Sequence, residues 1–482
     1  MKRLTVVTLL TIIALTMVVS CAAPTPAAPQ VVQQTVVVPQ TVVVPQTVVV
    51  PQTVVAQRTV VTQQTVVVKE TSAPVVVTAT PAPKPAARDT GTIFVMGPTR
   101  GVDEERFLLV LADFMKDNPK IKVAYAGTAE FETLINVKVE AGDPPDVAMI
   151  PQPGLMAKFA QAGKIVPLWP EVVKLIDQNL PGWKDLGSYS GKVYGVFHRV
   201  NGKGFVFYNK PVFEKAGYKV PTTWDELQKL TTTMATTGTP PWCITMESGA
   251  ATGWVGTDWM ENIMLRTQPV AAYDRWIAHD LRFQSPEVKN AWQIMDKIWS
   301  DPKLVYGGMK YIGTAIWQQA GTDLFAKPQK CQLVLQGSFY TAFFPADVQK
   351  DMDNQVGVFP LPPIDPKLPT TLEVGGDQYV VFNDRPEVRK FIEFLATGKS
   401  AAAWAKAGGA IFAHKDQDMS LYKSAIEKSF ATALTSAQAT RFDASDAMES
   451  AGNVAFWKGV TDYVGGKSID EVLKQIDAGF SK

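Results

Sequence analysis

The sequence predicts an α/β protein with two sheets flanked by helices, preceded by a long segment that is not globular. Three observations carry this. From residue 91, strand-like apolar runs alternate with runs of helical periodicity, in the order strand–helix–strand–helix–strand as far as residue 150. A second series of the same texture begins at residue 204. Two more strand-like runs, QLVL at 332–335 and QYVVF at 378–382, come much later in separate stretches.

The N-terminus has the layout of an export signal. Lys2 and Arg3 precede an uncharged apolar run, 4–19, and then Ser20 and Cys21. The run is slightly short for a membrane span, which takes roughly 20 residues. VVSC at 18–21 resembles a bacterial lipobox. That makes residues 1–20 a signal peptide and Cys21 a lipidated new N-terminus; the alternative is cleavage elsewhere and a chance cysteine. Residues 21–90 then form a Val/Pro/Gln-rich tether. PQTVVV occurs at 39–44 and 45–50 and PQTVVA at 51–56, with degenerate copies on either side. Repeats of six suggest a β-solenoid, but the glycines, asparagines and larger core residues of one are missing, and proline removes a ladder donor every six residues. The expectation is an extended, largely unfolded stalk whose prolines guard its valines against stacking. Its random-coil reach, on the order of 45 Å, would carry a binding domain clear of a membrane surface.

The globular elements follow in order. TIFVM (92–96) is a strand broken by Gly97 and Pro98. Phe107, Val110, Leu111 and Phe114 recur at helical spacing until Asn118 and Pro119 stop the helix. IKVAY (121–125) alternates as a second strand, a helical run surrounds 131–140, and DVAMI (146–150) is a third strand. This order suggests a mostly parallel, doubly wound sheet. In the second series GFVFYN (204–209) is strand-like, TWDE (223–226) is a capping box opening a helix, and WCITM (242–246) is a further strand. DRPE (384–387) opens a helix with Val388, Phe391, Phe394 and Leu395 on one face, and the last hundred residues look helical. Open α/β sheets bind ligands beyond the carboxyl ends of their strands, so the crevice between two sheets is the expected site.

Composition narrows the function. Lys and Arg total 47 against 46 Asp and Glu, a formal charge of +1 that becomes −1 without Lys2 and Arg3. No electrostatic footprint for nucleic acid and no polybasic run for anionic lipid exists in so balanced a chain. His198, His279 and His414 are scattered, as are the three cysteines, so no metal-ligand cluster and no cofactor is expected. There is no Gly-x-Ser-x-Gly elbow, Walker loop or His-Glu-x-x-His motif.

Three stretches, PPDVAMIPQPG (144–154), YGVFHRVN (194–201) and PTTWDEL (221–227), resemble the sugar-binding extracellular solute-binding proteins that feed ABC importers. The last marks only the wider superfamily. WCI (242–244) leading into ESGAATGW (247–254) and GTDW (256–259) is more specific and resembles the alpha-glucoside-binding lipoproteins. The resemblance covers residues 91–482. It implies a two-lobed, periplasmic-binding-protein-like fold of type II with hinge crossovers between the lobes. The first lobe is expected at 91–203 plus 332–376 and the second at 204–331 plus 377–482. It further implies a monomer that captures an alpha-glucoside or similar oligosaccharide and delivers it to a membrane permease driven by a separate ATPase. Another oligosaccharide or a polyol is the alternative ligand. A secreted glycoside hydrolase, which needs a carboxylate pair, is the alternative of a different class. With Cys21 lipidated, Cys243 and Cys331 remain as the one possible intrachain bridge in an oxidising compartment, against two separate buried thiols. Cys331, just ahead of the QGSF turn, matches the subgroup. A bond would close a loop of about 89 residues, worth roughly 4–5 kcal/mol.

A pyranose has an apolar face that stacks on aromatic rings and a rim of hydroxyls that needs hydrogen-bonding partners. Trp254, Asp258 and Trp259 supply both on one segment; the structural alternative is that the indoles anchor a loop to the core and Asp258 caps a helix. Gln152 follows the third strand, and Arg100 and Glu104 begin the first helix. Glu247 ends the 242–246 strand, Ser338 and Phe339 follow the 332–335 strand, and Asp377 follows Gly375 and Gly376. Arg199 lies near the first crossover, where a structural ion pair is its alternative. Trp183 and Trp317 are further platforms, with core packing the favoured role for both.

Overall fold

The structure, a computed structural model of the full chain, describes residues 41–48, 56–63, 91–436 and 439–480. The signal peptide, Cys21 and most of the tether lie outside them. Residues 1–83 and 84–482 form separate units. In the first, β1 (Thr41–Val48) and β2 (Ala56–Gln63) pair antiparallel, Thr41 opposite Gln63 and Val48 opposite Ala56. At these stretches the extended, largely unfolded stalk expected from the sequence is instead a paired ribbon. In a two-stranded ribbon every strand is an edge, so a proline such as Pro45 is tolerated and valine-rich repeats can pair.

The second unit carries two sheets. The larger starts as read from the sequence: β3 (Thr92–Gly97), the helix Val102–Asp117, β4 (Lys122–Gly127), the helix Phe131–Glu140 and β5 (Val147–Ile150), with β4, β3 and β5 parallel. A small hairpin, β6 (Ser188–Tyr189) and β7 (Lys192–Val193), precedes β8 (Gly195–Lys203). The smaller sheet has β9 (Phe205–Asn209) at its centre, flanked antiparallel by β10 (Leu333–Gln336) and β11 (Val356–Pro360). The chain then returns to the larger sheet as β12 (Leu372–Val381), antiparallel to both β5 and β8, with β13 (Ile411–Phe412) on β8 and β14 (Thr440–Phe442) on β12.

These pairings correct the expected segment assignments. Residues 333–336 and 356–360, expected with the first lobe, belong to the second sheet, and Gln378–Val381, expected with the second, lies between β5 and β8 in the first. Both runs are apolar and buried on both faces, so their composition does not reveal their partners. The sheets are also mixed or antiparallel rather than mostly parallel. Trp242–Met246 stays extended but makes only isolated bridges, Trp242 to Val305 and to Leu333. Local chemistry behaves as read: Thr223 caps the helix Trp224–Ala235 through a capping box with Glu226.

Core packing follows the two sheets. Phe107, Phe114, Tyr379 and Phe391 are buried with the first, and Trp242, Trp259, Trp276, Trp292 and Trp299 with the second. The chain passes between the sheets three times: at Lys203–Gly204, between β11 and β12, and after β14 at Asp443. Cys243 and Cys331 are joined across 88 residues of sequence, with Cα atoms 5.3 Å apart. Replacing both by serine should lower the unfolding free energy by roughly 4 kcal/mol, chiefly by freeing the unfolded chain. Denaturant unfolding of the oxidised protein and the double variant measures this, and equal midpoints would refute it.

Candidate functional site

The carboxyl ends of β3, β4 and β5 all open on one cleft, where Pro98, Thr99 and Arg100, Thr128 and Ala129, and Pro151 and Gln152 line it immediately after the strands. The cleft holds about 200 Å³ of free space and opens to solvent. Its floor is strand β8. Arg199, Asn201 and Lys203 alternate along that strand and all reach the cleft, as a period of two requires.

The first wall is polar. Arg199 donates from Nε to Asp377 Oδ2 at 2.7 Å and from Nη1 to Asp103 Oδ2 at 2.5 Å. Asp377 reaches this position because β12 slips register against β8 between Gly376 and Gln378, a bulge that redirects the intervening side chain. Burial disfavours the Arg199 charge, but Asp377 and Asp103 outweigh it and hold the guanidinium above its ordinary pKa. Gln152 Nε2 donates to Glu132 Oε1 at 3.0 Å. Desolvation pushes the Glu132 carboxyl up. What this wall leaves open is informative: Asp103 Oδ1, Gln152 Oε1 and Asn201 Oδ1 are buried without a hydrogen-bond partner among the described residues. All three are acceptors.

The opposite wall is aromatic. Trp254 starts the helix Trp254–Thr267, and its ring lies edge-on to Trp317 at 5.3 Å and 6.0 Å from Phe339, which is itself 5.9 Å from Trp317. Trp457 also lines the cleft, with its buried indole N–H unpartnered. The turn before the helix depends on Gly253, at φ +118°, where a Cβ would lie 2.3 Å from the Trp457 carbonyl oxygen. At the mouth, Ala250 N–H donates to Ala129 O at 3.3 Å, so the 249–251 turn touches the loop after β4 across the cleft.

Of the residues expected from sequence, Arg100, Gln152, Arg199, Trp254, Phe339 and Asp377 line the cleft, as does Trp317. The others do not. Glu104 is replaced by its neighbour Asp103, one residue and about 100° around the helix. Glu247 accepts from Gly249 N–H at 2.9 Å and shapes the turn. Ser338 Oγ accepts from Gly202 N–H at 3.3 Å, holding β8 instead of facing the cleft. Trp259 is core, edge-on to Trp242 at 5.0 Å and to Trp299 at 6.0 Å. Asp258 neither lines the cleft nor caps a helix; it sits inside one and accepts from Lys203 Nζ at 2.7 Å. Trp183 packs on Phe197 at 5.2 Å. Asp103, Glu132, Asn201, Lys203 and Trp457 went unread in the sequence; the alternation of RVNGK at 199–203 is the signal that points to two of them.

Beneath the cleft Lys203 Nζ also contacts Asp443, and Asp258, Glu261, Glu373 and Asp443 cluster around it with ligand oxygens within 4.8 Å of one another. Four carboxyls at that spacing suit a divalent cation, but the ammonium already takes the cation's place. Burial pushes Asp258 up to about 7, the Lys203 attraction notwithstanding. Burial opposes the Asp443 charge too, yet Lys203 and hydrogen-bond donors hold that carboxyl below its ordinary value. Glu261 and Glu373 are both pushed well up by burial and by the surrounding acids. Glu261 Oε2 and Glu373 Oε1 have no hydrogen-bond partner among the described residues, which suits carboxyls that keep a proton.

Two sheets joined by three crossovers around a cleft with one polar and one aromatic wall define a two-lobed binding protein. The chain belongs to the family of bacterial extracellular solute-binding proteins, whose family model matches residues 103–402. It is 40% identical over 400 residues to the osmoprotective compounds-binding protein GgtB of Synechocystis sp., covering 82% of this chain and 93% of that one. It is 36% identical over 392 residues to the alpha-glucosides-binding periplasmic protein AglE of Rhizobium meliloti, covering 79% and 85%. Among solved structures, the bacterial solute receptor AcbH, which has an exclusive preference for β-D-galactopyranose, matches with a TM-score of 0.72 at 18% identity, over 81% of this chain and 98% of that one. Among the described residues no helix is long and apolar enough to cross a membrane.

These raised carboxyls give the fold a pH signature. Lys203, Asp258 and Asp443 face the Glu261–Glu373 pair, with Arg266 on the Glu261 helix and Tyr273 beside both. The folded state keeps a proton that the unfolded chain releases above about pH 4.3. Its stabilisation is complete below that value and is lost as pH rises through the raised folded-state pKa. Thermal unfolding temperatures should therefore fall from about pH 5 upward, and Glu261→Gln, which keeps an acceptor for Ser445 N–H and removes the titration, should flatten that slope. An identical slope in the variant would contradict a proton retained on Glu261.

Proposed function

We propose that this protein captures a neutral alpha-glucoside or a closely related oligosaccharide between its lobes and delivers it to an ABC permease, tethered outside the cytoplasm through a lipidated Cys21. The reading rests above all on one observation: the cleft that holds the Trp254–Trp317–Phe339 wall also holds three buried acceptors that lack a partner among the described residues. Aromatic rings offer a surface for a sugar face, and hydroxyls donate to such acceptors while also accepting from Trp457 N–H. AglE, a relative named for alpha-glucosides, supports the ligand class. The family supports a binding role over catalysis. Arg199 grips both Asp103 and Asp377, which leaves neither as a free acid.

A second reading, a smaller osmoprotective glycoside or polyol, is favoured by the identity to GgtB. Titration calorimetry with maltose, trehalose, sucrose and sorbitol separates the two. The expected result is one-to-one binding of at least one disaccharide, tighter than sorbitol, with no product on long incubation. Trp254→Ala should weaken binding by about 10–100-fold and Gln152→Ala by about tenfold. Released monosaccharide would favour a hydrolase, and wild-type affinity in the Trp254 variant would refute the stacking wall.

A further inference from the structure

The Lys203 cluster lies at an unusual place in the chain. Lys203 is the last residue of β8, at the first crossover; Glu373 is the second residue of β12, at the end of the second; Asp443 follows β14, at the third. Asp258 and Glu261 come from the helix Trp254–Thr267 of the second lobe. All three interlobe connections and the helix that presents the aromatic wall therefore converge on one buried ammonium. The same Nζ stands 5.6 Å from the centre of the Trp254 ring, a cation–π contact. Asp443 Oδ1 simultaneously accepts from Asp446 N–H at 2.9 Å and from Ser445 Oγ at 2.8 Å, fixing the start of the segment that follows the third crossover. Asn262 Nδ2 donates to Glu373 Oε2 at 2.5 Å, and Arg266 donates to Asn262 Oδ1 at 2.8 Å, so the second crossover is tied to the same helix.

We infer that Lys203 is a positioning residue that locks the three interlobe crossovers to the Trp254 helix and so couples the angle between the lobes to the placement of the aromatic wall. The inference rests on the proposed ligand cleft for its binding consequences, but not for its consequences in the unliganded protein. A charge moved out of register here costs desolvation that nothing else repays, because every partner is buried. Removing the ammonium lets each crossover relax separately, so a bound ligand loses the fixed opposition of the two walls.

Lys203→Met alone strands two buried carboxylates and is the severe test. Lys203→Met with Asp443→Asn removes one positive and one negative charge together and leaves Oδ1 of residue 443 as a helix cap. In the unliganded double variant, amide hydrogen exchange should quicken at 203–204, 373–375 and 443–445 relative to the sheet interiors. Maltose, trehalose or sucrose, whichever the wild type binds best, should dissociate at least tenfold faster while its association rate changes little. A purely stabilising role would lower the unfolding temperature and leave crossover exchange and the dissociation rate at wild-type values, which overturns the inference. If the wild type binds none of these sugars, the ligand reading fails, and crossover exchange alone decides the role of Lys203.

Discussion

Two buried cations on one strand set the terms for the rest of this molecule. Arg199 and Lys203 lie four residues apart on β8 and so project from the same face. Taking either from water costs several kcal/mol unless partners replace the lost hydration. Arg199 finds them in Asp103 and Asp377, Lys203 in Asp258 and Asp443. These four carboxylates come from the first helix, a bulge in β12, a helix of the second lobe and the third crossover. Solvating two charges thus brings together segments up to 240 residues apart in sequence, and the space left between those segments is the cleft. The polar floor is the condition under which this topology can bury its strand.

Local structure was legible wherever it depended on local chemistry. The helix 131–140 and the capping box at Thr223 are where periodicity and side-chain reach place them. Sheet membership was not legible, because it depends on which of several equally apolar strands is the partner. QLVL and QYVVF differ little in composition, yet one pairs with β9 and the other fits between β5 and β8. The crossing back to the first sheet occurs at the start of β12, not at residue 332, and it is set by pairing of Glu373 with Lys203 rather than by any residue in the interval. The valine repeats show the same limit: prolines argue against a sheet interior but not against a ribbon that has none.

The site was legible through the rule that open sheets bind beyond their strand ends. That rule places Arg100 and Gln152 in the cleft without knowledge of any contact. It fails by rotation. Helix faces turn about 100° per residue, so choosing Glu104 over Asp103 loses the wall. Trp254 and Trp259 are five residues apart in one helix, which puts them about 140° apart around it, one in the cleft and one among Trp242 and Trp299. Read as a flexible loop, GAATGWVGTDWM allows both indoles to face a ligand; read as a turn that enters a helix at Gly253, it allows only one.

The helix face opposite Trp259 ties the aromatic wall to the buried charges. Trp254, Asp258 and Glu261 follow at i, i+4 and i+7 along the helix Trp254–Thr267, so all three lie on the side of Lys203. The same ammonium that neutralises the acids lies under the ring and draws on its π face. An uncharged residue there would leave the carboxylates unpaired, and an arginine would bring a planar fork where a point charge must meet oxygens from separate directions. The polar wall, by contrast, keeps its carboxylates at the surface of the space, with Arg199 fixing one oxygen of Asp103 and leaving the other free. If the cleft binds a sugar as proposed, acceptors left without a partner among the described residues discriminate strongly, because a ligand lacking a hydroxyl at that point leaves the acceptor unsatisfied. In the proposed binding role the aromatic wall tolerates many rings, so selection falls to Asp103, Gln152 and Asn201.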